Sequence, residues 1–255
     1  MTPDSFSDGG RFLKSDDALR QVEKMLTEGA DIIDIGGEST RPGAEAVSVE
    51  EELSRVIPLI EGVRAQSDAF ISVDTSKAVV MREAVAAGAD MINDVRALRE
   101  PGALEMAAGL KTPVCLMHMQ GEPRSMQHRP HYQDVVAEVK AFLGARVDAC
   151  EQAGIDRKQM VIDPGFGFGK TLEQNLTLFR HLQDFKSLEL PILVGVSRKS
   201  MIGAVLDIPV QERMPASIAL AGLAVWLGAS IIRTHDVRET ADAVKMCHAV
   251  ANGHP

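Results

Sequence analysis

The chain has 255 residues, a net charge of −9 and an aromatic content of only 4%. The length suits one large α/β domain, the acidic balance argues against a nucleic-acid surface, and the few aromatic residues favour aliphatic packing of helices on a sheet. No segment has the length and hydrophobicity of a membrane span, and no basic and apolar leader opens the chain. We therefore expect one cytoplasmic domain over residues 1–255.

Seven short runs rich in Ile, Val and Leu alternate with helical patterns along the chain. A continuous apolar run of this length predicts a strand buried on both faces of a parallel sheet. Right-handed crossovers bring the polar ends of such strands to one end of the sheet, where α/β folds bind their ligands. The predicted strands occupy residues 32–36, 70–74, 91–94, 114–119, 160–165, 192–197 and 230–236.

Helical patterns fill the segments between the strands. Ser48 and Asp236 precede acidic residues with capping-box spacing, and a glycine follows the last periodic residue at Gly29, Gly88, Gly109, Gly154 and Gly228. The predicted helices span about 15–28, 48–66, 77–88, 101–109, 132–153, 172–186, 199–206, 211–227 and 236–251.

The first ten residues form a polar, glycine-rich string that is typical of a strand-to-helix loop, and no strand precedes it. Because eight strands close a barrel, we expect an α/β fold, a (β/α)8 TIM barrel that lacks its first β-strand. An open sheet is the alternative. Cys115, Cys150 and Cys247 form no C-x-x-C pair, so we expect buried free thiols and a reducing compartment.

The strongest local signal is the segment DPGFGFGK at 163–170. Its glycines allow the backbone to approach a ligand closely, and its spacing is not that of a Walker loop. An ordinary Asp-Pro-Gly turn is the alternative. We interpret Asp163 as an acceptor for N–H donors of a heterocycle. Asp74 and Asn93 lie at two neighbouring strand ends, and we interpret them as further contacts to the same donor-rich ring, such as an aminopyrimidinone. Helix capping is the alternative for these two residues.

Cations and hydroxyls follow the last two predicted strands. Lys199 can bind an acceptor ring atom, and Ser200 at a helix start can bind a phosphate or carboxylate. A solvated basic turn is the alternative, and a Schiff base at Lys199 would need a desolvated amine. Arg233 and His235 suit a diphosphate, since the terminal loops of barrels commonly hold phosphate, although Arg233 could instead pair with a helix carboxylate.

The strand ends carry further candidates. Thr40 and Arg41 lie in a loop able to close over a substrate, and Lys77 and Lys170 add positive charge to the strand ends, which indicates an anionic small-molecule ligand. His118, in a Met-rich strand, is either a core histidine or a catalyst.

Eight motifs follow one another in a single order: TPDSFSDGG, DIGGESTRPG, SVDTSK, IND, CLMHMQG, DPGFGFGK, SRKS and RTHDV. In this order they resemble the bacterial dihydropteroate synthases, a folate-pathway family of pterin-binding enzymes. The resemblance implies a barrel, commonly a homodimer, that joins (7,8-dihydropterin-6-yl)methyl diphosphate to 4-aminobenzoate and releases diphosphate with the assistance of Mg²⁺. It also implies sensitivity to sulfonamides.

The resemblance assigns a role to each matching residue. The residues implied to bind the pterin are Thr40, Asp74, Asn93, Asp163 and Lys199. Those implied to bind the diphosphate are Arg41, Arg233 and His235, together with the first loop. Those implied to frame the aminobenzoate are Phe6, Asp8, Pro42, Lys199 and Ser200. The residues implied to take part in catalysis are Asp74, Asp163, Lys199, Arg233 and His235.

One position departs from the family pattern. The asparagine that binds the metal in the family would precede Met1, so we expect that no metal ligand is retained in this sequence. A truncated pterin-binding protein with little or no catalysis is therefore an alternative function. A pterin-binding methyltransferase domain is a second alternative, which TPDSFSDGG, ESTRPG and SRKS together argue against.

Overall fold

The computed structural model describes residues 15–40, 43–122 and 126–253. The chain forms two compact units. The first contains the chain as far as Met117 together with Arg146–Met160, and the second contains His118–Ala145 together with the chain from Val161 onward. Both units contain helices that alternate with parallel strands.

Nine α-helices and seven strands lie within the described ranges. The helices are α1 (Ser15–Thr27), α2 (Val49–Gln66), α3 (Ala78–Ala87), α4 (Ala103–Leu110), α5 (Val135–Gln152), α6 (Leu172–Arg180), α7 (Ser200–Leu206), α8 (Met214–Trp226) and α9 (Val237–Asn252). The strands are β1 (Ile32–Gly36), β2 (Phe70–Asp74), β3 (Met91–Asp94), β4 (Val114–Met117), β5 (Met160–Asp163), β6 (Leu193–Val194) and β7 (Ile231–Ile232).

Strands β1 to β4 of the first unit pair in chain order, and all pairs are parallel. The register aligns Gly36 with Asp74 and Asp74 with Asn93, so the ends of three strands lie side by side and two of them are polar. Ile33, Ile71 and other strand residues are buried, as expected for apolar strands covered on both faces.

In the second unit, β6 pairs in parallel with β7, and a bridge joins Ile162 of β5 to Ile192 next to β6. The side chains of Phe166 and Phe185 are fully buried in this unit. Helices α8 and α9 pack against each other. The second unit therefore has an apolar core of its own, and polar residues follow its strands β5, β6 and β7 in the chain.

All seven predicted strands are confirmed, but four of them are shorter than predicted. The predicted helix over 172–186 is interrupted: α6 ends at Arg180, and a 3-10 helix follows at Leu182–Leu188. Leu182 and Phe185, three residues apart, are both buried, because the 3-10 repeat of three residues places them on one side.

The predicted caps have different outcomes. The Ser48 hydroxyl accepts from the Glu51 N–H at 3.1 Å, which confirms the cap of α2. The cap predicted at Asp236 is wrong, because its carboxylate pairs with the Arg198 guanidinium instead. Gly109 lies inside α4 rather than after it, whereas Gly29, Gly88, Gly154 and Gly228 have the positive φ expected after a helix.

All three cysteines are free; Cys115 and Cys150 are buried, as predicted, and Cys247 is partly exposed. Burial raises the pKa of the Cys150 thiol to about 11. Among the described residues, no helix is both long and apolar enough to cross a membrane. Residues 1–14 lie outside the described ranges, and the absence of a first strand stays a prediction.

Candidate active site

Asp74 and Asn93 end two paired strands of the first unit, and both are almost fully buried. The Thr75 N–H donates to the Asn93 carbonyl at 3.1 Å, which joins the two strand ends. The Asn93 side-chain amide donates to the carboxylate oxygens of Asp34 at 3.4 and 3.5 Å. Asp34 was not among the predicted site residues, although a carboxylate inside the apolar run IIDIG was a signal that could have identified it.

Asp94 follows Asn93 but has a structural role. Its buried carboxylate accepts hydrogen bonds from the Ser76 hydroxyl, from the Arg96 N–H at 2.7 Å and from the Leu98 N–H at 2.8 Å. Burial raises its pKa, and these hydrogen bonds oppose the rise. The Asp94 carboxylate therefore shapes the turn after β3.

Lys77 binds two carboxylates rather than a ligand. Its amine donates to Glu38 and, at 2.5 Å, to Glu52, and we call these three residues the Glu38–Lys77–Glu52 triad. Burial acts to lower the pKa of Lys77, but its bonds to the two carboxylates outweigh burial and raise it. The prediction that Lys77 offers charge to an anionic ligand is wrong, because two acidic side chains neutralise it.

Asp163 ends β5 in the second unit, with only 7% of its surface exposed. Its carboxylate accepts from the Gly165 N–H at 2.7 Å. Burial raises its pKa, while the positive charges of Lys199, Lys170 and Arg233 act to lower it. The predicted acceptor is therefore surrounded by cations in a low-dielectric setting.

The glycine loop, residues 165–169, wraps around the amine of Lys170. This amine donates to the carbonyls of Gly165 at 2.8 Å and Phe168 at 3.1 Å, and it lies 3.0 Å from Nδ1 of His118. Burial lowers the pKa of Lys170 to about 7. Lys170 is thus an internal support of the loop rather than part of the predicted cationic mouth.

His118 is buried, and its ring packs edge-on against Phe142. With its contact to Lys170, this placement agrees with the core-histidine alternative. Gly165, Gly167 and Gly169 all have positive φ, which explains why the loop needs glycine at each of these positions.

Lys199 is partly exposed and lies next to the glycine loop. Its amine donates to the Phe166 carbonyl and sits 4.6 Å from the centre of the Phe168 ring. Burial and the positive charge of Arg233 lower the pKa of Lys199 to about 8, against the opposing effect of Asp163. Lys199 can therefore donate a hydrogen bond to an acceptor of a bound ring.

Arg233 and His235 are exposed in the loop after β7. Nδ1 of His235 lies 2.9 Å from the Ser197 hydroxyl, which orients the ring. The Arg198 guanidinium instead binds Asp236, with Nε to Oδ2 at 3.0 Å. Ser200 is exposed at the first residue of α7.

The structure brings the predicted residues together in two groups. Asp74 and Asn93 are neighbours in the first unit, and Thr40 is partly exposed in the loop after β1 of the same unit. Asp163, Lys199 and Arg233 interact electrostatically in the second unit. Four predicted residues lie outside the described residues, namely Phe6, Asp8, Arg41 and Pro42.

A magnesium site has no match in the part of the chain that the structure describes. Within it, no group of three or more His, Cys, Asp or Glu side chains is placed to hold a metal ion. Mg²⁺ is commonly held by one or two carboxylates together with phosphate oxygens of a substrate, so the described side chains alone do not form a complete magnesium site. The assistance of Mg²⁺ stays a prediction.

Comparisons with known proteins agree with the geometry. A family model described as "Pterin binding enzyme" matches residues 1–235. The chain is 57% identical to the dihydropteroate synthase of Haemophilus influenzae over 252 residues, which cover 99% of this chain and 92% of that protein.

Two solved structures are also similar over nearly the whole chain. The Yersinia pestis dihydropteroate synthase with a sulfonamide drug complex has a TM-score of 0.95 at 51% identity, covering 98% of this chain and 91% of that one. The Xanthomonas albilineans dihydropteroate synthase with 4-aminobenzoic acid has a TM-score of 0.91 at 52% identity, covering 98% of this chain and 90% of that one. The predicted fold class, α/β of the TIM-barrel type, is confirmed by this similarity.

We predict that the site lysines titrate at different pH values. In NMR of the lysine side chains, Lys170 should lose its proton near pH 7 and Lys199 near pH 8, whereas Lys77 should stay charged up to at least 10.5. Unfolded lysines hold their protons up to a pH of about 10.5. Between about pH 7 and pH 10.5 the unfolded state therefore binds more protons than the folded state, so Lys170 and Lys199 should make the free energy of unfolding rise with pH. Titration of Lys170 near 10.5 would contradict this prediction.

We also predict that the glycine loop does not tolerate a methyl group at Gly169. A Cβ there would lie 2.3 Å from the Gln120 carbonyl oxygen, and φ is +61°. Gly154→Ala is the matched control, since φ is +93° and nothing lies within 4 Å of its Cβ. Gly154→Ala should cost roughly 1–2 kcal/mol of unfolding free energy, and Gly169→Ala should cost more and reduce activity. If urea denaturation showed the same loss of unfolding free energy for both variants, a steric clash of the new methyl group with Gln120 would be ruled out.

Proposed function

Because the chain belongs to the family of pterin binding enzymes, we propose that the polar residues at its strand ends carry out the dihydropteroate synthase reaction. The chain is a transferase that condenses (7,8-dihydropterin-6-yl)methyl diphosphate with 4-aminobenzoate, gives 7,8-dihydropteroate and releases diphosphate. The observation that carries the proposal for the site is the buried Asp163 carboxyl with Lys199 and Arg233 close enough to shift its pKa.

Asp163 is proposed to accept hydrogen bonds from the donor-rich edge of the pterin. Burial disfavours its charged form, and N–H donors of a bound ring would restore the stabilisation that water supplies outside the protein. Lys199 would donate to a ring acceptor on the same ligand. Asp74 and Asn93 are proposed as further pterin contacts, and Thr40 as another in the loop after β1.

Release of diphosphate is the difficult step. The arylamine of 4-aminobenzoate is a neutral nucleophile near pH 7, so it needs no strong base. The exposed side chains of Arg233 and His235 are proposed to stabilise the charge on the leaving diphosphate, with Arg41 as a further partner. As the carbon–oxygen bond breaks, the pterin ring spreads the positive charge on its exocyclic carbon, and Asp163 and Asp74 favour that charge electrostatically. The arylamine nitrogen bonds to this carbon and releases one proton as diphosphate leaves.

The aminobenzoate is proposed to bind near the start of α7. Ser200 is exposed there, and Lys199 immediately precedes it, so a hydroxyl and an amine are available to the carboxylate of this substrate. Phe6, Asp8 and Pro42 are proposed to complete this part of the site. As a 4-aminobenzoate analogue, a sulfonamide would then compete for the same position.

We predict that Asp163→Asn lowers turnover by more than about 100-fold, because it removes the negative charge that stabilises the developing cation. Diphosphate release would be measured with the pterin diphosphate, with and without 4-aminobenzoate. Asp184→Asn is the control, since Asp184 is an exposed carboxylate of the same unit that contacts His181.

The same assay tests the proposed function as a whole. Diphosphate release by the unmodified protein should depend on 4-aminobenzoate and be inhibited competitively by a sulfonamide. Pterin binding without turnover would contradict the proposal and favour a non-catalytic pterin-binding protein. Near-normal turnover of Asp163→Asn would remove Asp163 alone from its role.

We propose that the protein is a homodimer, with α8 and α9 at the interface. Leu223 and Trp226 of α8 are 53% and 62% exposed, and Met246 and Val250 of α9 are 64% and 66% exposed. The two helices pack together, so these side chains belong to neighbouring surfaces of one helix pair. Large exposed apolar groups of this kind support an interface between protein chains.

We predict that Trp226→Glu weakens this dimer, since the new charge would be desolvated at an apolar interface. Sedimentation equilibrium should then show a smaller mass than that of the unmodified protein at the same concentration. Leu176→Glu is the control, because Leu176 is exposed on α6 instead. A monomeric unmodified protein would contradict the proposal.

A cytoplasmic location is also proposed. The three cysteines are free, and two of them are buried. Free thiols persist in a reducing compartment, which supports this location.

A further inference from the structure

We infer that Lys77 is a positioning residue, which holds the loop after β1 against the loop after β2 through the Glu38–Lys77–Glu52 triad. The inference rests on the proposed function, because the first of these loops carries Thr40 and Arg41 and β2 ends at Asp74. The amine of Lys77 binds Glu38 on one loop and Glu52 on α2. One ammonium group therefore joins three segments of the first unit.

Helix α2 approaches the base of the loop very closely. A Cβ built on Gly37 would lie 2.8 Å from Cγ of Glu52 and 3.0 Å from its carbonyl oxygen, so only glycine fits beside this side chain. Arg55 of α2 also donates to the Gly37 carbonyl at 2.7 Å. The backbone immediately before Glu38 is thus fixed by α2, and the triad extends this support to Glu38 itself.

The burial of Glu52 indicates a role in geometry rather than in stability. Its side chain is only 1% exposed, and Oε1 is buried without a hydrogen-bond partner, so Lys77 satisfies only one of its two oxygens. A buried ion pair with incomplete hydrogen bonding commonly contributes little to stability compared with apolar residues of similar size. What the pair does provide is a fixed position for the Lys77 amine and hence for Glu38.

The active-site consequence follows from the spacing along the chain. Glu38 precedes Thr40 by two residues, and Lys77 follows Asp74 by three, so the ion pair lies next to residues proposed to bind substrate. Small displacements of positioning groups lower rates strongly. The triad would therefore hold the loop that carries Thr40 and the strand end that carries Asp74 in the positions that the reaction needs.

The first test is Glu38→Gln, which leaves the Lys77–Glu52 pair intact. Glu28→Gln is the matched control, because the side chains of Glu28 and Glu38 are similarly exposed, at 21% and 23%, and each pairs with a lysine. Glu28, which pairs with Lys24, lies before β1, whereas Glu38 lies after it. We expect Glu38→Gln to lower kcat/KM for the pterin diphosphate by roughly 10- to 100-fold, with an unchanged melting temperature. Affinity for a pterin alcohol that lacks the diphosphate should fall as well, because Thr40 and Asp74 are proposed to contact the pterin.

The second test separates positioning from stability. In the double variant Glu52→Met, Lys77→Met, unbranched apolar side chains replace the buried pair, so the melting temperature should equal or exceed that of the unmodified protein while kcat/KM falls. Unchanged kcat/KM in either variant, or a loss of activity that parallels a loss of melting temperature, would overturn the inference. An inactive unmodified protein would contradict the proposed function instead, so the two failures are distinguishable.

Discussion

A carboxyl group buried at the end of β5 determines how charge is arranged in the second unit. Burial penalises the negative charge of Asp163, and the same burial penalises the positive charges of Lys170 and Lys199. Asp163 and the two lysines stabilise each other's charged forms, whereas the positive charge of Lys199 disfavours that of Lys170, so the protonation states of the three groups are linked. A ligand that brings N–H donors to Asp163 changes this balance for all of them, which connects pterin recognition to the charge of the whole cluster.

The first unit handles buried charge in a different way. Lys77 is bound by two carboxylates, and Asp94 is bound by a hydroxyl and two backbone N–H groups, so their hydrogen bonds are made within the protein. Asp74 and Asn93 are held next to each other by strand register. The hydrogen bonds of Lys77 and Asp94 thus hold the segments next to these strand ends in place, whereas the charges around Asp163 in the second unit remain sensitive to a ligand.

The sequence was sufficient to locate the strands and the residues at their ends, because apolar runs and polar termini are local signals. It could not show which polar side chains are already bound by other groups of the protein. Lys77 and Lys170 have the same charge as Lys199, yet one binds two carboxylates and one lies inside the glycine loop. Asp236 had the spacing of a helix cap, but its carboxylate binds the Arg198 guanidinium instead. These outcomes depend on contacts between residues distant in the sequence, such as the 38 positions that separate Arg198 from Asp236.

The contact between Asn93 and Asp34 bears on selectivity. Since the amide NH₂ is directed to the Asp34 carboxylate, this contact fixes which end of the Asn93 amide is the donor and which is the acceptor. A ligand group that meets the Asn93 carbonyl oxygen must therefore be a donor. An analogue with an acceptor there would set two lone pairs against each other in a buried setting, a mismatch that polar sites reject by roughly 10⁴-fold. Asp34 would in this way help to exclude the wrong heterocycle.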